Sequence, residues 1–313
     1  MSEFSMGNKP LISAVITSYK RTPEVVERAL KSILSQTYEN LEIIVVDDSP
    51  ADFKLRDQVR DTVIKYGDKV KYIRHEKNMG ACVARNTGID NSKGEYLAFL
   101  DDDDVWDKDK IKLQFEKMQE SDAGLVYCDD ILLNEVTDEK SKCNNVKFYR
   151  GNVYDILMKG NFIGGVSFPL IKRECFDTCG KFDPQQPAAQ DYDMWVRIAE
   201  KYEIDYVDKP LVIYYVHEGE CITKNPSKRI KGHERLLEKH RNYLRKHPKI
   251  LAIRKRYIAV LYAQGGRLSK CVSSLFCAYA KDFFNTKENF AATKKAARQY
   301  IKSIVEKRKN NHN

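Results

Sequence analysis

The first hundred residues alternate between strand-length apolar runs and stretches with helical spacing, which constrains the fold more than any other feature. Four runs have the length and composition of strands: LISAVIT (11–17), LEIIVVDD (41–48), VKYIRH (70–75) and YLAFL (96–100). After the first run, Thr22 is suited to an N-cap and Pro23 to the first helical position, and apolar residues then recur on one helix face from Val26 to Leu34. The alternation predicts an α/β fold on a mainly parallel sheet, flanked by helices.

Polar groups follow three of these strands directly. Thr17, Ser18 and Tyr19 end the first run, Asp47 and Asp48 end the second, and four aspartates, residues 101–104, end the fourth. Ligands of parallel sheets collect beyond the carboxyl ends of the strands. We therefore expect these groups to lie near one crevice.

The aspartate run FLDDDDVW has two explanations. Asp104 or Asp107 could cap the helix predicted near residues 108–119, but one aspartate suffices for a cap. Hard divalent cations bind carboxylate oxygens, and Mg²⁺ or Mn²⁺ is commonly held by one or two carboxylates plus substrate phosphates. The surplus of carboxylates favours a metal site.

The usual phosphate-binding loops are missing from the sequence. It has no GxxxxGK[ST] motif, and no GxGxxG follows the first strand. A diphosphate would need a metal and scattered cationic side chains as counter-charges, which favours a metal–diphosphate ligand over a dinucleotide.

Charge is distributed unevenly along the chain. Residues 226–313 contain 23 Lys and Arg against 5 Asp and Glu, whereas residues 1–225 carry a net charge of −9. This asymmetry predicts two functionally different parts, residues 1–225 and a basic helical region over 226–313. The basic region is expected to be either a solvated accessory domain or a site for an anionic membrane surface. Nucleic acid is not expected, because no recognised nucleic-acid motif accompanies the charge.

The sequence also favours a cytoplasmic location. Its start shows no signal-peptide pattern, and no stretch approaches the roughly 20 apolar residues that a spanning helix needs. The eight cysteines form no CxxC pair and have no zinc-site spacing with paired histidines. We expect a cytoplasmic protein that could lie peripherally on the inner face of the cell membrane.

Seven motifs in order resemble the family 2 glycosyltransferases, across residues 10–225. They are SAVITSYKR, LSQTY, LEIIVVDDSP, NMGACVARNTGI, YLAFLDDDDVW, CGKFDP and AAQDYDMWVRIA. Each motif is weak alone, and their order and spacing carry the resemblance. It implies the GT-A fold, a Rossmann-like mixed sheet flanked by helices, and an inverting transferase of the bacterial surface-polysaccharide type.

The resemblance also implies roles for single residues. Thr17 and Tyr19 match family positions that contact the nucleobase and ribose. Asp48 matches a carboxylate that accepts a hydrogen bond from uracil, and Arg85 matches a cationic residue that contacts the nucleotide. Asp103 matches the metal ligand of the DxD motif, and Asp101 its partner near the ribose and metal. Asp191 matches the catalytic base, and His217 a histidine that contacts diphosphate or metal.

These roles have structural alternatives. Asp48 could form an Asx turn, Arg85 could pair with a surface acid, and Asp191 could cap its helix. Trp106 and Trp195 are expected to be packing residues. The chain departs from the family pattern at three places. Lys20 stands where many members have asparagine, DDSP replaces the frequent DDGS, and Gln190 stands where many members have glutamate.

The implied reaction moves a hexose-type sugar from a nucleotide-diphosphate donor, a UDP-sugar by the Asp48 match, to a hydroxyl of a glycan or lipid-linked acceptor. Mn²⁺ or Mg²⁺ would neutralise the leaving diphosphate, and Asp191 would act as general base. Two other classes stay open. DDDDV satisfies the DxDx[TV] pattern of the haloacid-dehalogenase-like phosphatases. In those proteins the first aspartate follows the first strand, whereas here it follows the fourth predicted strand. A non-catalytic module that binds metal or sugar is the other.

Overall fold

A computed structural model describes residues 9–135, 137–142, 147–216 and 225–310. Its described residues divide into two compact units. The first contains the chain up to Tyr154, Phe162–Pro184, and the segment from Met194 to the end of the ninth strand. The second contains Asp155–Asn161, Gln185–Asp193 and the helices from Pro226 onward. The predicted domain division after residue 225 stays a prediction.

The first half of the first unit alternates strand and helix as the sequence predicts. Its elements are β1 (Ile12–Ser18), α1 (Pro23–Leu34), β2 (Leu41–Asp47), α2 (Arg56–Ile64), a 3₁₀ turn (Gly67–Lys69), β3 (Val70–Arg74), α3 (Ala81–Asp90) and β4 (Tyr96–Asp101). Thr22 occupies the N-cap of α1, with Pro23 at its first turn. Strands β1, β2 and β4 are almost wholly buried, which accounts for their continuous apolar runs.

The following elements are less regular. They are β5 (Val105–Trp106), α4 (Lys110–Gln119), β6 (Leu125–Asn134), β7 (Lys140–Lys142), α5 (Tyr154–Leu157), β8 (Leu170–Lys172), α6 (Arg173–Cys179), α7 (Gln190–Ala199) and β9 (Ile204–Val216).

The strands form one mixed sheet in the order β3-β2-β1-β4-β8-β6-β9-β5, with β7 beside β6. Strands β1 to β4 are mutually parallel where they pair, β8 is antiparallel to both β4 and β6, and β9 is parallel to β6. Strand β5 pairs antiparallel with β9. The expected mixed α/β sheet flanked by helices is confirmed.

Helix α3 lies close against β1. A Cβ atom at Gly88 would stand 2.3 Å from Val15 Cγ1, so only glycine permits this approach. The close packing matters because α3 also carries Arg85, a predicted site residue.

The second unit is helical in its larger part, as expected for a region without strand signals. Its helices are α8 (Pro226–Lys239), α9 (Arg241–Lys246), α10 (Pro248–Gln264), α11 (Leu268–Lys281) and α12 (Thr286–Asn310). Ile230, Ile258, Leu261, Cys271 and Ala296 belong to its core, which packs α8, α11 and α12 around α10. Among the described helices, none is long and apolar enough to cross a membrane.

Candidate active site

The carboxyl ends of β1, β2 and β4 lie side by side, because β1 is the middle strand of this parallel trio. Thr17 pairs in register with Asp101 of β4, and Ser18 with Asp47 of β2. The Asp48 N–H donates to the Ser18 carbonyl at 2.9 Å. The expected gathering of polar groups at the carboxyl ends of neighbouring strands is confirmed.

Asp102 is buried and holds the loop that follows β1. Its carboxylate accepts hydrogen bonds from the Tyr19 N–H at 3.0 Å and from Arg21 Nε at 2.9 Å. Burial raises the pKa of Asp102 to about 7, against the lowering effect of the Arg21 charge. Asp102 therefore connects the ends of β1 and β4.

Asp104 is also buried, and its partner is Ser167. The Ser167 hydroxyl donates to Asp104 Oδ2 at 2.5 Å and accepts the Asp101 N–H at 3.1 Å. Burial raises the pKa of the Asp104 carboxyl, and the charge of Asp101 adds to the effect. Asp109 takes the N-cap position of α4, so Asp104 does not cap that helix.

Asp101 and Asp103 alternate with these two buried aspartates and are more exposed. The Asp101 side chain is 37% exposed and that of Asp103 20%, against 7% for Asp102. Arg85 Nη2 donates to Asp101 at 2.9 Å, and an Arg21 guanidinium nitrogen donates to Asp103. The two DxD positions are thus the more exposed aspartates of the turn, and each contacts an arginine.

The carboxylate oxygens at this turn suit a hard divalent ion whose coordination shell is completed by a phosphate group. Within the described ranges, no cluster of three or more His, Cys, Asp or Glu side chains could hold a metal ion by itself. Asp101 and Asp103 offer partly exposed carboxylate oxygens, and Mg²⁺ or Mn²⁺ commonly binds one or two carboxylates together with substrate phosphates. The residues fit such an ion when a phosphate-bearing ligand supplies further oxygens.

Arg85 is held from both sides. Its side chain is 9% exposed, and its guanidinium carbon lies 5.6 Å from the centre of the Phe182 ring. The Asn86 amide fixes Phe182 through its backbone, accepting the N–H at 3.0 Å and donating to the carbonyl at 2.8 Å. The CGKFDP segment therefore orients an arginine of the site.

Asp48 holds the loop that leads into α3. Its carboxylate accepts bonds from His75 Nδ1 and the Met79 N–H, both at 2.7 Å, and from the Gly80 N–H at 2.8 Å. Thr87 Oγ1 lies 2.9 Å from the other nitrogen of His75. An ionised carboxylate has about four acceptor sites, and internal donors occupy three of them at Asp48.

Asp47 is bonded internally through both oxygens. Tyr72 donates to Oδ2 at 2.8 Å and the Ser49 N–H to Oδ1 at 2.9 Å, and Arg56 Nε lies 3.8 Å from Oδ2. Burial, reinforced by this carboxylate, raises the pKa of Tyr72. Asp47 is thus a structural acid at the end of β2.

Asp191 lies in the first turn of α7 and belongs to the second unit. It is half-buried. The buried Gln186 donates to the Gly232 carbonyl at 2.9 Å, and Asp193 accepts from Lys239 Nζ at 2.6 Å. These contacts fix the start of α7 within the second unit.

The remaining predicted residues differ in their surroundings. Tyr19 is 39% exposed, and Thr17 is half-buried at the end of β1. Both tryptophans are buried, as expected of packing residues: Trp106 Nε1 donates to the Ser167 carbonyl and Trp195 Nε1 to that of Gly164. His217 lies outside the described residues.

The family profile described as "Glycosyl transferase family 2" matches residues 13–180, more than half of the chain. This span includes the ends of β1, β2 and β4 and the loop into α3. The chain belongs to glycosyl transferase family 2.

Curated relatives agree with the family assignment. The putative colanic acid biosynthesis glycosyl transferase WcaA of Escherichia coli is 30% identical over 243 residues, 76% of this chain and 84% of WcaA. Some longer glycosyltransferases of Rickettsia also match, and the chain spans about a third of their length, 35% in one case.

Solved structures agree with the fold. Staphylococcus aureus TarS 1–349 in complex with UDP-GlcNAc superposes with a TM-score of 0.65 at 14% identity, over 96% of this chain and 92% of TarS. The mannosyltransferase PcManGT of Pyrobaculum calidifontis, solved with GDP-Man and Mn²⁺, gives 0.59 at 18% identity, over 94% and 88% of the two chains. The fold of this family 2 glycosyltransferase is therefore GT-A.

Three residues at this glycosyltransferase's strand ends were missed by the sequence analysis. Arg21 contacts two of the aspartates, Ser167 bridges Asp104 to the Asp101 backbone, and His75 contacts Asp48. Arg21 stands in the SAVITSYKR motif, which was a usable signal. Neither Ser167 nor His75 lies in a sequence motif that predicts a role for it.

Proposed function

We propose that the protein transfers a hexose-type sugar, with inversion, from a nucleotide-diphosphate donor to a hydroxyl of a glycan or lipid-linked saccharide in cell-surface polysaccharide biosynthesis. The observation that carries the proposal is the pair of partly exposed carboxylates, Asp101 and Asp103, within the family match. The name of WcaA supports the polysaccharide role, and the UDP-GlcNAc complex of TarS supports UDP-sugars as the first donors to test.

Donor binding is assigned to the strand ends of the first unit. Tyr19 has an exposed side chain and bonds to Asp102 through its backbone N–H, Thr17 ends the same strand, and Asp48 would offer its fourth acceptor site to a base N–H. Arg85 places a guanidinium group next to Asp101, where it can offset diphosphate charge.

Asp103 and Asp101 would hold Mn²⁺ or Mg²⁺ together with the donor diphosphate, and the Mn²⁺ of PcManGT supports this choice. The bound cation supplies charge neutralisation for the departing nucleoside diphosphate. His217 is kept as a further ligand for diphosphate or metal, on the resemblance alone.

Asp191 is the proposed general base. It accepts the proton of the acceptor hydroxyl while that oxygen attacks the anomeric carbon from the face opposite the diphosphate. General-base catalysis of this kind contributes about 10²–10⁴-fold. The reaction then proceeds in one displacement and requires no nucleophilic side chain of the protein.

The proposed location is cytoplasmic, peripheral on the inner face of the membrane. The 23 basic against 5 acidic residues of the region 226–313 support attraction to anionic lipid. Lipid-linked acceptors at that surface would then lie close to the enzyme.

The test begins with a screen of sugar nucleotides with Mn²⁺ or Mg²⁺, measuring thermal stabilisation and sugar transfer. With the donor found, Asp191→Asn should lower kcat by about 10²–10⁴-fold and leave donor-induced stabilisation unchanged. Asp177→Asn, at an exposed position of α6, is the matched control and should retain activity. Full turnover by Asp191→Asn would refute the base assignment, and the absence of transfer with every sugar nucleotide would refute the proposed reaction.

A further inference from the structure

Exposed apolar side chains concentrate in one part of the second unit. Of the 13 large hydrophobic side chains that are exposed among the described residues, eight lie between residues 268 and 305. They are Leu268, Val272, Phe276, Phe283, Phe284, Phe290, Ile301 and Val305. We call these eight side chains the apolar face.

The apolar face follows helix geometry. On α11 the exposed residues recur every fourth position, at Leu268, Val272 and Phe276, while Cys271 and Ala278 are buried on another side. Helix α12 has the same division between an exposed and a buried side. Its exposed Phe290, Ile301 and Val305 share one side, and Ala296 and Ser303 are buried on another. Both helices thus keep an apolar stripe outside the core that packs them on α10.

Two phenylalanines project from the loop between these helices. Phe283 is 67% exposed and Phe284 94%. The loop itself is fixed by buried polar groups: Arg256 donates to Asp282 at 3.0 Å and to Asn289 at 2.8 Å, and Asn289 donates to the Asp282 carbonyl at 2.9 Å. Two aromatic rings are therefore presented to solvent by a well-anchored backbone.

Basic residues lie beside and between the side chains of the apolar face. Residues 268–305 contain seven Lys or Arg and two acids. One of the acids, Asp282, is paired with Arg256 at 3.0 Å. Lys281 and Lys287 flank the phenylalanine loop, and the exposed Lys294, Lys295 and Arg298 lie along α12. We call this set the basic rim.

We propose that the apolar face inserts into the interface of an anionic lipid bilayer, with the basic rim at the phosphate level; this inference rests on the peripheral attachment proposed above. Apolar rings beside Lys and Arg on a helical surface are typical of interfacial binding, in which apolar side chains enter about 5–10 Å below the headgroups. Self-association through this face would bring like charges together, whereas anionic lipid has the complementary charge.

The experiment measures partitioning of the full chain onto vesicles. The vesicles contain phosphatidylcholine alone or with 30% phosphatidylglycerol, about the anionic content at which surface charge is substantial. Wild type should bind the anionic vesicles at least about tenfold more tightly, and residual binding should persist in 0.5 M NaCl, at roughly 4 Å screening length, because the apolar contribution is insensitive to salt.

Two double variants separate the contributions. Phe283→Ser with Phe284→Ser should weaken binding about tenfold or more at every salt concentration, since two exposed rings leave the bilayer. Lys294→Gln with Lys295→Gln should weaken binding several-fold at low salt and flatten its salt dependence. Ile64→Ser, at an exposed position of α2, is the control and should bind as wild type. Circular dichroism verifies that each variant is folded.

The outcomes that would contradict membrane insertion can be distinguished from those that would contradict the proposed reaction. Unchanged binding of the phenylalanine variant would refute insertion, even if charge alone recruits the protein. A wild-type dimer that this variant dissociates, without vesicle binding, would assign the face to a second copy of the chain and also overturn the inference. Sugar transfer to a water-soluble acceptor should be the same in all variants, so loss of insertion leaves the proposed reaction intact. Vesicle binding without transfer would refute only the reaction.

Discussion

The two acidic strand ends of the first unit look alike in sequence and differ in structure. At the end of β2, Asp47 and Asp48 are both buried, and both are bonded to internal donors. At the end of β4 the aspartates alternate, with Asp102 and Asp104 buried while the side chains of Asp101 and Asp103 remain partly exposed. One pair mainly holds loops in place, and the other run divides its carboxylates between support and solvent.

The difference shows why four aspartates occur together. Asp102 accepts hydrogen bonds from the Tyr19 N–H and Arg21, and Asp104 accepts one from Ser167, so both shape the turn that presents their neighbours. The Asp104 N–H donates to the Asp101 carbonyl at 3.1 Å, which closes this turn. The run therefore contains carboxylates that support the turn as well as the two that are proposed to hold the metal ion.

The sharpest test of this comparison is Asp103→Asn. The change removes the proposed metal ligand, so sugar transfer should fall about a hundredfold or more. Stability should change by less than about 1 kcal/mol, because the side chain is partly exposed and Arg21 keeps its bond to Asp102. Steady-state transfer at several Mn²⁺ concentrations and urea unfolding measure the two effects. Wild-type transfer by the variant would contradict the metal assignment.

The opposite result is expected for Asp47→Asn. An amide offers one acceptor oxygen in place of two, so the bonds from Tyr72 and the Ser49 N–H cannot both persist. The free energy of unfolding should decrease by about 2–3 kcal/mol, the scale of lost charge-assisted bonds in a buried site. Transfer at low temperature should stay within a few-fold of wild type. A stable variant with lost transfer would reverse the contrast between the two strand ends.

The sequence predicted the first half of the fold well, because β1, β2 and β4 are nearly continuous buried runs and helix signals follow the strands. Strand β9 was missed, since Pro210 and the charged Asp208 and Lys209 interrupt its apolar pattern. The structure accommodates this segment by register shifts opposite Cys128 and Asp129 of β6. Strand β8 has three residues, too few to show a period.

The positions of the candidate site residues followed from strand order, but their contacts did not. Arg21 is separated by 81 residues from Asp102, and Ser167 by 63 from Asp104. Such pairs depend on how β4, β8 and the loops pack, and no local pattern encodes them. Motif resemblance supplied roles for Asp103 and Asp191, and a supporting role was predictable for Asp102, whereas its partners, the Tyr19 N–H and Arg21, required coordinates.

The smallest expected effect concerns the loop that joins both strand ends. Lys20 lies between Tyr19, which bonds to Asp102, and Arg21, and its own N–H donates to Ser49 Oγ at 2.9 Å. Its φ of 53° is in the left-handed region, where asparagine is tolerated better than lysine.

Lys20→Asn should therefore stabilise the protein by about 0.5 kcal/mol, and Lys20→Gly by a similar amount, because relief of strain exceeds the added entropy of the unfolded chain. Urea unfolding measures the change, with Lys54→Asn as control at an exposed position outside the positive-φ residues of the described chain. Destabilisation by Lys20→Asn relative to Lys54→Asn would show that contacts of the lysine side chain, such as the one at 5.5 Å over the Tyr19 ring, outweigh backbone strain. The Lys20 side chain would then stabilise the loop by more than the left-handed backbone at this position costs.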